Sequence, residues 1–146
     1  MAYFIFLNDQ TQASLYRIAE NQNDLNSLNI NKNFYKIIED TQSNFESLKY
    51  GTKQVIKYEN NNIVYENVSI FFNNKESLKD YINCTKDNLK LFLNNNTTHI
   101  KYNDLNNYYN QLNSLDLNNI TYPLNISLEQ YFKDQNQPSF HPLQIP

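Results

Sequence analysis

Chemistry in a protein needs groups that bind metals, move protons or attack carbonyls, and this chain of 146 residues offers few of them. Its two histidines, His99 and His141, stand in no HxH or HxxxH pair that would bring two imidazoles together. A metal site built from both with Asp104 would need a convergence that no spacing announces, so no metal is expected. Cys84 is the single cysteine, which excludes an intrachain disulfide and a cysteine cluster. Its place within a helical pattern predicts a small, buried or half-buried thiol. Paired carboxylates are the remaining candidates for acid and base work. Glu39-Asp40 closes a strand just before a helix start, where acids favour the helix dipole, and Glu76 and Asp80 lie on the outer face of a long helix. A Ser-His-Asp set can be drawn on paper, but the sequence gives it no geometry.

A single glycine, Gly51, removes further classes. Phosphate-cradling loops, dinucleotide fingerprints and nucleophile elbows each need several glycines, so that the backbone turns sharply or approaches the ligand. With Arg17 the only arginine and a net charge of -3, the chain lacks the basic face that nucleic acids demand. No catalytic residue, cofactor or nucleic-acid partner is therefore expected, and the chain is read as a non-enzyme.

The elements that would position any site are legible. Hydrophobic residues form 40% of the chain and aromatics 14%, enough for a folded core despite asparagine at about one residue in five. The Asn, Lys, Ile, Tyr and Phe excess matches AT-rich codons, and the asparagines are dispersed among periodic apolar positions rather than gathered in a tract. MAYFIFLND has no positive leader and only a short apolar run, so it reads as a strand rather than a signal. No segment reaches the roughly 18 apolar residues of a membrane span, and no membrane partner is expected. The Asn-x-Ser/Thr triplets at Asn67, Asn119 and Asn125 are expected by chance at this asparagine content.

Three strands, AYFIFL, SLYRIAE and FYKIIED, dominate the start, with Tyr16 and Ile18 expected on one face of the second. A short helix over ENQNDLNSLN carries Leu25 and Leu28. In DTQSNFESLKYG, Ser43 and Glu46 predict a capping box, Phe45 and Leu48 the apolar face, and Gly51 a left-handed helix end. Lys53 to Glu59 and Ile63 to Val68 predict a hairpin around a three-residue Asn60-Asn61-Asn62 turn with a bulge. SIFF prolongs that strand or leads out of the sheet.

The period then changes. Asn74 caps a helix from Lys75 to about Asn94 with Leu78, Tyr81, Ile82, Thr85, Leu89 and Phe92 in one stripe. A second helix, Asn103 to Ser114, aligns Leu105, Tyr108, Tyr109 and Leu112, and the short link predicts an antiparallel pair. Pro123, in ITYPLN, is a break after that helix. Ser127 with Gln130 predicts a capping box for a third helix, whose Tyr131 and Phe132 are available for packing. The expected class is α+β: a β-rich domain over 1–72, a helical region over 73–134, and an extended, proline-containing tail over 135–146.

That tail, QNQPSFHPLQIP, has no charged side chain and three prolines. Its apolar side chains either close the core of its own domain or clasp a neighbouring subunit, and the neighbour is the favoured reading. Candidate partner-binding residues are Tyr108, Tyr109, Tyr131, Phe132, Pro138, Phe140, Pro142, Leu143 and Ile145.

The run from YNDLNNYYNQLNSLDL to the end, with MAYFIFLND, LYRIAENQNDLNSLN and YKIIED, resembles small accessory proteins of tailed bacteriophages from AT-rich, marine-type hosts. The Y-x-x-Q-L-x-x-L element followed by Tyr122-Pro123 is also similar to the C-terminal part of tail-fibre assembly proteins, although the tryptophans often found there are missing. The resemblance implies a structural or adaptor subunit of the virion, in the tail or tail-fibre region. Such a subunit would be made in the host cytoplasm and would join other virion proteins in an oligomeric assembly. Two alternatives stand beside it: a tail-fibre assembly chaperone absent from the finished particle, and a small acidic inhibitor of a host enzyme.

Overall fold

The computed structural model describes residues 1–7, 12–67, 69 and 71–146, with the side chains of Gln12, Val55 and Ile56 outside that description. The chain is α+β and divides into two compact units, Met1–Ser69 and Ile70–Ile145.

In the first unit the apolar run AYFIFL forms β1 (Ala2–Leu7), paired antiparallel with β3 (Leu15–Ala19) on one side and β4 (Tyr35–Asp40) on the other. A central strand covered on both faces explains why apolar residues are continuous rather than alternating: Phe4, Ile5 and Phe6 are each 0% exposed. Burying each of them is worth about 1.5–3 kcal/mol. Helix α1 (Gln22–Ser27) lies near the face that carries Tyr3, whose hydroxyl donates to Gln22. On the opposite face Phe6 meets Tyr58, with ring centroids 5.3 Å apart. Tyr58 belongs to a second sheet, ordered β2 (Gln12–Ala13), β5 (Lys53–Glu59) and β6 (Asn62–Asn67).

Two local expectations change here. A bulge in the β1–β3 pairing shifts register between Ile5 and Phe6. Ile18 therefore stands opposite Phe4, while Tyr16 stacks on Tyr35 at 4.4 Å, and the face they were expected to share is split. The hairpin turn holds two residues rather than three: Asn60 and Asn61 take φ of 51° and 64°, as a type I′ turn requires, and Asn62 already belongs to β6. The irregularity in this hairpin falls between Val55 and Lys57 instead of at the turn. The expected strand end at Val68 and the Ile70 of SIFF lie outside the described residues.

Helix α2 (Gln42–Lys49) is capped by Thr41, whose side chain accepts from the Asn44 N–H, so the cap lies two residues before the expected Ser43. The preceding Asp40 accepts from the Thr41 N–H and the Asn44 amide, and also from the Tyr65 hydroxyl. That carboxylate ties the end of β4 to the start of α2 and to β6. Gly51 does not take a positive φ. It is needed for closeness instead: a Cβ there would stand 2.8 Å from the Ser47 carbonyl oxygen.

The second unit is built on α3 (Lys75–Asn95), capped by Asn74 in a reciprocal box with Ser77. Leu78, Ile82, Thr85, Leu89 and Phe92 are buried along one stripe, as their spacing predicts, and Cys84 falls off it and is exposed. Helix α4 (Tyr102–Ser114) contributes Leu105, Tyr108 and Leu112 to the same core. A short 3-10 turn, Leu117–Asn119, leads to Leu124, which exchanges both backbone hydrogen bonds with Phe72 at 2.8 Å. Phe72 thus belongs with the helices. Helix α5 (Leu128–Asp134) is capped by Ser127, but the Gln130 side chain donates to Asp134 rather than completing a box.

Substituting Gly51→Ala is expected to destabilise the first unit by about 1–3 kcal/mol through the forced approach to Ser47. Asn74→Ala is expected to remove about 1 kcal/mol from the second unit through loss of the cap. Chemical denaturation of each variant against the unmodified chain checks both.

Candidate functional site

The most deeply buried acid among the described residues lies inside the helical unit. Glu129, in the first turn of α5, is 2% exposed, and the Tyr81 hydroxyl of α3 donates to its Oε1 at 2.7 Å. Tyr108 of α4 is 1% exposed, feels the same carboxylate charge, and accepts the Phe140 backbone N–H at its hydroxyl. Glu129 thus joins α5 to α3, and Tyr108, near enough on α4 to feel its charge, is in turn met by the residues after α5.

Burial pushes both phenols well above their ordinary pKa of 10.0, and the Glu129 charge pushes them further, because a phenolate beside a carboxylate is doubly unfavourable in a poorly solvated site. A carboxylate this enclosed presents almost no face to a substrate. In this conformation its hydrogen bond joins α3 to α5.

The residues after α5 close over this centre. Gln135 and Asn136 end the helix in a Schellman turn: the Gln137 N–H donates to the Phe132 carbonyl at 2.9 Å and the Asn136 N–H to that of Lys133 at 3.0 Å. Asn136 takes φ of 57°, the role usually left to glycine. The chain then folds back. The Gln111 amide donates to the Pro138 carbonyl at 2.9 Å, Phe140 meets Tyr108 edge-on with ring centroids 5.6 Å apart, and Ile145 is 3% exposed in the core. The expected extended path is replaced by a 3-10 turn at Pro142–Gln144. His141 makes the turn: its Nδ1 accepts from the Leu143 N–H, and its own N–H donates to the Gln144 side chain. Proline at the first position of the turn fits, since no donor is needed there.

The candidate partner-binding residues are thus distributed in depth. Tyr108, Phe132 and Ile145 are core; Tyr109, Tyr131, Phe140, Pro142 and Leu143 are half-buried; Pro138 is exposed. Of the two fates open to the tail, closing its own unit is the one the fold adopts. His99 caps a turn as His141 does, its Nδ1 accepting from the Lys101 N–H at 3.0 Å. Among the described residues no three His, Cys, Asp or Glu side chains gather as a metal-holding group. Among the same residues, no helix is long and apolar enough to cross a membrane.

Sequence reasoning passed over two features. Glu129 looks like an ordinary acid at a helix start, and only the tertiary approach of Tyr81, 48 residues away, shows why it is buried. An open groove of about 530 Å³ between α1 and β4 was also unannounced, since Asn29 and Ile30, which shape one wall, lie in an irregular segment. Leu25, Tyr35 and Ile37 supply its apolar lining; on its rim the Gln22 amide donates to Asn26 at 2.9 Å. No protein-family model, curated protein or solved structure matches the chain.

The two buried phenols fix a pH response. In the unfolded chain they ionise near 10.0, while the fold holds them protonated, so their contribution is complete below that pH and is lost above it. Each is expected to remove about 1.4 kcal/mol of stability per pH unit in that alkaline range. Tyr81→Phe is expected to cost about 1–3 kcal/mol at neutral pH, because Glu129 loses a donor, and yet to make the alkaline loss shallower. Thermal unfolding between neutral pH and about pH 11 reads both effects.

Proposed function

We propose that this chain is a non-enzymatic structural or adaptor subunit of a tailed-bacteriophage particle, placed in the tail or tail-fibre region. It binds its neighbours through the tyrosine-bearing surface of its helical unit. The observation that carries the reading is the depth of the tyrosines. Tyr102, Tyr109, Tyr122 and Tyr131 all pack against the helical core while remaining only partly buried. Each has an apolar body already committed to the fold and ordered at little further entropy loss, and partly exposed tyrosines of this kind suit a partner surface. Ile100 and Leu91 of the same unit are 83% and 67% exposed, and Phe71 is 44% exposed, adding apolar area to its surface. The setting in a phage particle rests on the resemblance of the sequence in order and composition.

The half-buried residues carry the contact in this reading, and the core positions Tyr108, Phe132 and Ile145 hold the surface in shape. Deleting everything after Gln137 would uncover the core, so a surface variant is the cleaner test. Tyr109→Lys with Tyr131→Lys is expected to retain the far-ultraviolet circular dichroism of the folded chain and to fall out of purified particles, as read by mass spectrometry. Recovery of the unmodified chain only from unassembled lysate would point to the chaperone reading. Its absence from particles together with co-purification of a host enzyme would point to the inhibitor.

A further inference from the structure

The residues after α5 sit on the helical unit in the manner of a bound peptide. Their main chain is read at two points, the Pro138 carbonyl by the Gln111 amide and the Phe140 N–H by the Tyr108 hydroxyl. Their side chains supply two apolar anchors, Phe140 against Tyr108 and Ile145 in the core. Main-chain hydrogen bonds combined with spaced side-chain pockets are how folded domains recognise linear segments. The segment is also pre-shaped, because the His141–Gln144 turn is held by hydrogen bonds internal to it.

The joint behind it is built differently. Gln135, Asn136, Gln137 and Pro138 are all exposed, and the backbone bonds of the first three only complete the helix end. The segment can therefore swing out at this joint without dragging a buried hinge through solvent. An opened copy would leave Tyr108 and the Ile145 site uncovered, and the segment fitted to fill them is the one that every other copy carries.

We propose that residues 138–145 exchange between copies of this chain, docking on α4 and the helical core of a second molecule through the contacts they make on their own. The exchange needs no additional surface, since the receiving site is already complete, and it requires only that two chains open together. The segment has no charged side chain, so two crossing segments do not repel each other. The proposal goes beyond the particle reading and does not depend on it.

Disulfide trapping in a Cys84→Ser background tests it with the full chain. A chain carrying Gln111→Cys is mixed with one carrying Pro138→Cys under mild oxidation. A disulfide-linked heterodimer is expected, and adding Ile145→Asp to the Pro138→Cys chain is expected to lower its yield at least about tenfold by removing an apolar anchor. Phe140→Ala, which keeps Ile145 in place, is the second weakening variant and is expected to act in the same direction. Mixing Pro138→Cys with a chain that retains the exposed Cys84 measures random collision. A heterodimer yield no higher than that control, or one unmoved by both weakening variants, would overturn the proposal. So would a Gln111→Cys, Pro138→Cys double variant that closes only within one chain at every concentration.

Discussion

The helical unit is organised around a carboxylate taken out of water. Burying a carboxyl group costs free energy unless a hydrogen-bond partner meets it. Glu129 accepts the Tyr81 hydroxyl, which sets α5 against α3, and Tyr108 of α4 lies near enough to feel its charge. Apolar contacts alone would not impose this. Leucines and phenylalanines along α3 and α4 tolerate small rotations, whereas a hydrogen bond of 2.7 Å to a buried acid does not. The same centre fixes the path of the last residues, because the Phe140 N–H finds its acceptor on Tyr108.

The first unit meets its constraints with backbone pairing. A central strand buried on both faces joins two edge strands, and a second small sheet packs beneath through Phe6 and Tyr58. Its main polar centre, Asp40, lies half-buried at the junction of β4, α2 and β6, where Asn44 also accepts the Lys53 ammonium at 2.7 Å. Both units therefore use a carboxylate to join elements distant in sequence. They differ in how far that carboxylate leaves solvent.

The range of each force decides how much of the molecule could be read in advance. Helix and strand positions depend on local periodicity, and α3, with its Asn74 cap and its stripe from Leu78 to Phe92, was legible almost to the residue. The capping residue of α2, the split of Tyr16 from Ile18 and the true role of Gly51 were not. Each depends on a choice between neighbouring geometries of nearly equal local energy, settled by packing. The burial of Glu129 was beyond reach for a stronger reason, since its partner lies 48 residues away and nothing in either neighbourhood marks the pair. The path after α5 was misjudged because three prolines suggest extension, while the turn is made by His141 and Gln144.

Asn29, Asn60, Asn61 and Asn136 all hold positive φ, and the chain's one glycine does not. A side chain in the left-handed region is strained, though asparagine tolerates it better than other non-glycine residues, and it leaves fewer conformations open to the unfolded chain than glycine would. The sharp reversals after α1, in the β5–β6 hairpin and after α5 thus come from residues that remain comparatively stiff when the fold is lost. Each of these corners carries an exposed asparagine side chain, and none is a gap in the pattern of β-carbons.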